Sequence, residues 1–339
     1  MLNQVYYNSK NLVENVQQIS KNNPNSLICA MVKANAYGIG TAFAVKTLSP
    51  YVHFFGVATQ KEAEKVEKFT SKKVLIVGPL ERTNKINTRF SYACHCVEDV
   101  EFLASLNKKI NIHIKINSGM NRYGFSNKQE FLKALTIIQN SKLSFEGIFT
   151  HFATDDDFVE EQMNIFKKYL TLAKKFGFNP IVHVDNSIVN QKKNHHKSMV
   201  RIGFDLYNKS NLHFKPVVSI ESSIVQINQC KKGDLVGYNY KYVCPTKKTI
   251  AVVPVGYADG FSMSFVGMFL NFKGKKCKVL NVCMDCFMLD ITNIKTKKGD
   301  EIFILDENNP LKIYANYSNI SEYEVMCNFS HIRASRKYI

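Results

Sequence analysis

Lys33 closes the apolar run SLICAMVKA and is followed by Asn35, Tyr37 and Gly38. An amine half-sheltered by apolar neighbours has a depressed pKa, which suits Schiff-base chemistry. Other reactive side chains recur where apolar runs end. Arg122 lies in Asn117-Ser118-Gly119-Met120-Asn121-Arg122-Tyr123-Gly124, His151 follows Thr150, His183 precedes Asn186-Ser187, and Arg201 precedes Gly203 and Phe204. A Schiff-base lysine, two arginines and a loop of small donors (Ser187, Gly203, the Phe204 amide) together suit an electron-sink cofactor with a phosphate tail. Pyridoxal 5′-phosphate is the obvious candidate. Singly, each residue has a plainer role: a snorkelling lysine, a satisfied buried imidazole, a turn glycine. Their convergence carries the argument.

Convergence requires a scaffold. Eight apolar runs, at 26–34, 53–58, 73–78, 91–96, 109–116, 144–150, 180–184 and 199–203, read as buried strands. Helical patterns lie between most of them: Gln60–Lys68, Val97–Leu106, Lys128–Gln139, Val159–Lys175 and Asn186–Lys192. Glu98 and Asp99 stand near the start of one, where the helix dipole favours negative charge. This alternation predicts an α/β fold, a (β/α)8 TIM-type barrel over residues 1–212, with an open doubly wound sheet as the alternative. Reacting groups of a barrel gather at the C-terminal ends of its strands, where these residues fall. The Gly-x-Gly-x-x-Gly dinucleotide fingerprint is absent, since Gly38-Ile39-Gly40 does not continue it. After residue 212 the runs VVSIESSIVQI, DLVGYN, TIAVVPVGYA, KVLNVCMDCFMLDI and EIFIL follow with little helix between them. They predict a mainly β C-terminal domain over 213–339, with the first few residues of the chain packing with it.

The 339 residues carry 45 Lys+Arg against 28 Asp+Glu, a formal charge of +17. The excess is lysine in scattered groups, and the only arginines are Arg82, Arg89, Arg122, Arg201, Arg333 and Arg336. Nucleic-acid sites lean on arginine for bidentate contacts, so the charge reads as a solvated surface. No apolar stretch reaches membrane-span length, and no basic-then-apolar leader is visible at the N-terminus. Nine irregularly spaced cysteines then point to reduced thiols and a cytoplasmic protein. Cys283-x-x-Cys286 has no second pair at zinc spacing, and Cys94 and Cys96 read as small buried hydrophobes, so no metal is expected.

The segment Met31-Val32-Lys33-Ala34-Asn35-Ala36-Tyr37-Gly38 resembles the cofactor-lysine motif of the alanine racemase family. The resemblance continues through 118–124, Thr150-His151-Phe152-Ala153, His183-Val184-Asp185-Asn186-Ser187 and Arg201-Ile202-Gly203. Gly256-Tyr257-Ala258-Asp259-Gly260, Cys283-Met284-Asp285 and Tyr323-Glu324-Val325 extend it over nearly the whole chain.

This resemblance implies a pyridoxal-phosphate-dependent isomerase that interconverts L- and D-alanine and supplies D-alanine for peptidoglycan. Lys33 would hold the cofactor as an internal aldimine and act as one base. Tyr257, from the partner subunit of a homodimer, would be the second base on the opposite face. Tyrosine is an unusual base at its ordinary pKa of about 10, so its site is expected to lower that value. Arg201 would face the pyridine nitrogen, with His151 in support. Arg122 would meet the cofactor's phenolic oxygen and the substrate carboxylate, and Met284, from the partner subunit, would offer its backbone N–H to that carboxylate, with Asp285 beside it at the substrate. Tyr37, Asn186, Ser187, Gly203, Phe204 and Tyr323 would hold the phosphate end. Asn117 stands where many members carry Asp, which leaves Lys115 and Arg122 one carboxylate short. In some members the lysine at the position of Lys115 is carbamylated and braces the arginine. His331 receives no role. Within the same cofactor class a broader-specificity racemase, a decarboxylase and a non-catalytic cofactor-handling protein are the competing readings. The decarboxylase lacks its Cys-Asp motif and glycine-rich loop here, and the handling protein lacks a β domain.

Overall fold

The computed structural model describes residues 2–83, 85–153, 158–184, 198–208, 213–238 and 242–339. The chain divides into two compact units. One comprises Val13–Ala36 and Gly40–Leu206, the other Met1–Leu12, Tyr37–Ile39 and Tyr207–Ile339.

The first strand, β1 (Gln4–Tyr7), belongs to the second unit, and a helix, Ser9–Asn22, follows it. The first unit is built on eight parallel strands: β2 (Leu27–Met31), β3 (Phe54–Val57), β4 (Lys73–Ile76), β5 (Ser91–Cys94), β6 (Ile110–Lys115), β7 (Leu143–Phe149), β8 (Ile181–His183) and β9 (Met199–Ile202). Each falls inside or against one of the eight apolar runs. Strand order is sequential from β8 back to β2, with β9 beside β2. The Ser198 amide donates to the Val182 carbonyl (2.9 Å) and the Val182 amide to the Ser198 hydroxyl (2.8 Å), which brings the two edges together. This nearly closed barrel replaces the open-sheet alternative.

Alternation sorts the side chains. On β6 Ile110, Ile112 and Ile114 are buried in one phase, and His113 and Lys115 occupy the other. Helices start where capping chemistry allows. Thr59 accepts from the Glu62 amide and the Glu62 carboxylate accepts from the Thr59 amide, a capping box for Gln60–Val66. Asn127 accepts from the Gln129 and Glu130 amides and starts Lys128–Gln139. The helical pattern read over Asn186–Lys192 lies outside the described residues.

In the second unit β1 pairs antiparallel with β10 (Val218–Ser223) and parallel with β17 (Ser335–Tyr338), and β16 (Glu301–Leu305) completes a four-stranded sheet. The other sheet runs β11 (Gln226–Cys230), β12 (Lys248–Val253), β15 (Phe287–Asp290), β14 (Lys275–Val282), β13 (Phe269–Phe272). Phe261, Phe265, Phe287, Tyr314 and Phe329 stack or meet edge to face between ring centres 4.3–6.1 Å apart, forming its aromatic core.

Three features depart from the sequence reading. The run 278–291 is two strands joined by a turn at 283–286, because the Cys283 amide donates to the Cys286 carbonyl (2.7 Å). Tyr257 opens a short 3₁₀ turn, Tyr257–Asp259, beyond the end of β12. Two helices, Leu311–Ser318 and Glu322–Phe329, stand in the β domain. No helix among the described residues is long and apolar enough to cross a membrane.

Candidate active site

The segment after Lys33 turns the wrong way. Ala34, Asn35, Ala36 and Tyr37 all have φ between +52° and +56°, one turn of left-handed helix without a glycine. Each such residue costs about 1–2 kcal/mol, so the surroundings must impose the turn. Glu62 is the principal clamp. Its Oε1 accepts from the Ala34 amide (2.7 Å), and its Oε2 accepts from the amides of Ala58 (2.8 Å) and Thr59 (3.2 Å). The Asn35 side chain accepts from the Thr41 amide (2.9 Å) and hydroxyl (3.1 Å), and the Gly40 amide donates to the Asn35 carbonyl (2.9 Å). Lys33 is half-buried directly before this turn.

Lys33, Arg122 and Arg201 all act on Lys115 in the barrel unit. Lys115, buried at the end of β6, has its pKa drawn down to about 7 by burial and then by Arg122, Arg201 and Lys33. His151 is pushed to about 3 by burial and then by Arg201, Arg122, Lys115 and Lys33. The Lys115 ammonium also lies over the Tyr123 ring, 5.1 Å from its centre. Such crowding of cations fits an anionic partner with several charged oxygens.

Arg201 is buried on β9. Its Nη1 donates to His183 Nδ1 and to the His183 carbonyl (2.8 Å), and Nη2 donates to the Thr150 carbonyl (2.8 Å). The guanidinium sits over the Phe149 ring at 5.0 Å. The resemblance gave the support of Arg201 to His151; His183 is a bonded support that the reading did not assign, and His151 lies within electrostatic reach. Gly203 and Phe204 begin a single helical turn, Phe204–Tyr207, after β9. Asn186 and Ser187 lie outside the described residues.

The second unit presents its own constellation. The Tyr257 amide donates to the Cys283 carbonyl (3.0 Å) and the Ala258 amide to the Met284 carbonyl (3.1 Å), which joins the Tyr257 turn to the Met284-Asp285 turn. Tyr257 and Met284 are 44% and 53% exposed. Buried Asp259 anchors the turn by accepting from the Gly256 amide (3.0 Å) and from Arg333 Nε (2.7 Å) and Nη2 (2.9 Å). Arg333 also reaches Asp285 at 2.8 Å. Burial works to raise the Asp259 pKa, and the Arg333 hydrogen bonds outweigh it, so the net shift is downward. Tyr37 is buried, which raises its pKa, and its ring lies 5.4 Å from that of Tyr207 and 6.1 Å from that of Tyr323. All nine cysteines are free thiols, and no metal-binding group of side chains occurs among the described residues.

Comparison with known proteins places this geometry. Residues 7–211 match the alanine racemase N-terminal domain and residues 217–338 the alanine racemase C-terminal domain. A protein of Staphylococcus saprophyticus named alanine racemase is 33% identical, over 96% of this chain and 92% of its own. The crystal structure of alanine racemase from Bacillus anthracis with bound L-Ala-P superposes with a TM-score of 0.91 at 27% identity, covering 100% of this chain and 95% of that one. Alanine racemase from Bartonella henselae, with covalently bound pyridoxal phosphate, has the same fold at 22% identity, with a TM-score of 0.91 over 100% of both chains. The chain belongs to the alanine racemase family.

Proposed function

We propose that this isomerase interconverts L- and D-alanine with pyridoxal 5′-phosphate carried on Lys33, and that Lys33 and Tyr257 exchange the α-proton from opposite faces. The observation that carries the reading is that, beyond burial, Arg122, Arg201 and Lys33 all bear on Lys115 and His151 in the barrel unit and draw both pKa values down. A cluster of this kind matches a ligand bearing a phosphate, a phenolic oxygen and a substrate carboxylate. When bound, pyridoxal phosphate supplies a sink for the electron pair left as the α-proton departs.

Lys33 then holds or returns a proton at Cα through its Nζ, and Tyr257 does so through its Oη. Two bases are needed because each enantiomer loses its proton to one side and regains it from the other. Arg201, a permanent cation, would hold the cofactor's ring nitrogen and oppose its protonation. Arg122 binds the substrate carboxylate in the bidentate manner suited to guanidinium, and the Met284 amide and Asp285 turn orient the same group. The Gly203 and Phe204 amides, with Asn186 and Ser187, serve the phosphate end, as do the Tyr37 and Tyr323 hydroxyls. The exposed Tyr257 and Met284 support a homodimer in which each C-terminal domain completes its partner's site.

The test is α-proton exchange in deuterated water from each alanine enantiomer, alongside the absorbance of bound cofactor. Lys33→Ala is expected to lose both signals. Tyr257→Phe is expected to slow removal of the proton from L-alanine first. Retention of exchange and cofactor spectrum in Lys33→Ala would overturn the reading.

A further inference from the structure

The barrel interior holds a line of polar side chains that the reaction above does not use. His183 Nδ1 receives an Arg201 N–H, His183 Nε2 lies 2.7 Å from His113 Nδ1, and His113 Nε2 lies 3.1 Å from Glu146 Oε2. Glu146 also accepts from the Ser91 hydroxyl and pairs with Lys73, whose side chain is 54% exposed. The line therefore runs from solvent, at the first residues of β4 and β5, through the barrel to Arg201 on β9. Both imidazoles are fully buried, and His183 stacks on Phe149 at 4.7 Å. Gly147 admits the His113 ring, because a Cβ there would fall 2.1 Å from His113 Nδ1.

The direction of the line follows from donor chemistry. Arginine only donates, so His183 Nδ1 accepts and the His183 proton sits on Nε2. That proton makes His113 Nδ1 an acceptor, so His113 also carries its proton on Nε2 and gives it to an ionised carboxylate. The charges agree. Burial works against the Glu146 carboxylate, but hydrogen bonds from His113, Lys73 and Ser91 hold it down at about 2. Burial lowers His113, opposed by Glu146 and aided by Arg201 and Lys73, while burial, Arg201 and His113 lower His183.

We infer that His113 and Glu146 are positioning residues for Arg201: through His183 they form a one-way donor chain that fixes the guanidinium and ties its charge to a carboxylate near the opposite end of the barrel. The inference rests on the proposed placement of Arg201 at the cofactor's ring nitrogen. Its consequence is that a group remote from the substrate tunes how strongly Arg201 opposes ring protonation.

Histidine-selective ¹⁵N spectra of the full chain, with and without pyridoxal phosphate, test the chain directly. The expected result is one protonated nitrogen, Nε2, on both His113 and His183, with no titration across the neutral range. Glu146→Gln keeps an acceptor and removes the charge. It is expected to lower kcat in both directions on the order of tenfold, as for loss of one charged hydrogen-bond partner, with KM nearly unchanged and the bound-cofactor absorbance maximum shifted. An Nδ1 proton on either imidazole, or titration of either near neutrality, overturns the proposal, and so does a Glu146→Gln enzyme with unchanged kcat and absorbance. If Glu146→Gln does not fold, the wild-type spectra decide. Wild-type protein inactive on alanine would refute the proposed function instead, and the cofactor-free spectra would still judge the chain.

Discussion

Lys115 should behave as a neutral-pH amine. Burial, then Arg122, Arg201 and Lys33, draws its pKa down to about 7. At pH 7 about half of its amines are then uncharged, against roughly one in three thousand for an ordinary lysine. Neutral amines are the form that reacts with electrophiles, including carbon dioxide. Carbamylation would replace a cation by an anion, a swing of two charges beside Arg122. It would also supply the negative charge that Asn117, an uncharged residue, does not bring. The Asn117 side chain is committed to its own loop, accepting from the Gly119 (3.2 Å) and Asn121 (2.9 Å) amides.

The assay is acylation of the full-length, cofactor-loaded protein by a small anhydride across pH, with the modified lysines identified by mass spectrometry. Lys115 is expected to react with a midpoint of about 7, whereas surface lysines react with midpoints near 10. In ¹³C-labelled bicarbonate a carbamate resonance is expected that disappears in Lys115→Arg. Asn117→Asp keeps both loop acceptors and adds a negative charge in the loop that follows Lys115. It is expected to raise the labelling midpoint and weaken the carbamate signal. A wild-type Lys115 midpoint above about 9 would refute the claim that burial and its cationic neighbours dominate this site.

Glu62→Ala removes the acceptor from three backbone amides and frees the left-handed turn. A loss on the order of 2–3 kcal/mol is expected, seen as a Tm lower by roughly 5–10 °C and weaker pyridoxal phosphate binding, with Glu62→Gln milder. An unchanged Tm would mean that the turn is held elsewhere. Gly260 has φ +87°, and a Cβ there would lie 2.0 Å from the Asn328 carbonyl oxygen. Gly260→Ala is therefore expected to cost more than about 2 kcal/mol by denaturant melt, through strain and overlap together. Arg333→Met strands the Asp259 carboxylate in its buried site. Because the folded pKa of Asp259 is lowered, the pair stabilises the fold above the carboxylate range and loses that contribution as pH falls through it. The Tm gap between wild type and variant should accordingly shrink from pH 7 toward pH 3, and a gap independent of pH would exclude the ion pair as its source.

The barrel was legible because strands buried on both faces read as unbroken apolar runs, and all eight runs became strands. The C-terminal unit was harder for the same physical reason. An apolar run marks burial and leaves direction open, so the turn at Met284-Asp285 passed unseen inside KVLNVCMDCFMLDI; it contains neither Gly nor Pro. Tyr257 was read as part of a strand because TIAVVPVGYA is apolar throughout, although Pro254 and Gly256 were the available signals that β12 had ended.

The site residues divide along a similar line. Lys33 and His151 stood out because they close or follow an apolar run, Arg122 because it lies in the loop after one and Arg201 because it is a charge inside the last, and the C-terminal ends of barrel strands are where side chains meet a ligand. His113 and Glu146 lie within runs, KINIHIKI and SFEGIFT, and there a polar residue passes for an ordinary surface position. Period-two counting gives them away. His113 shares a face with Lys115, and the alternate face of β6 is a buried row of isoleucine, so that polar face must point into the barrel. A histidine forced inward needs partners, and Glu146 on the neighbouring strand β7 supplies one. The left-handed turn had no such signature. Ala-Asn-Ala-Tyr carries a single residue, Asn35, tolerant of positive φ, and the turn is dictated by Glu62, which is remote in sequence from it. Local propensity opposes that conformation at Ala34, Ala36 and Tyr37, and the contacts to Glu62 and Thr41 hold the turn against it.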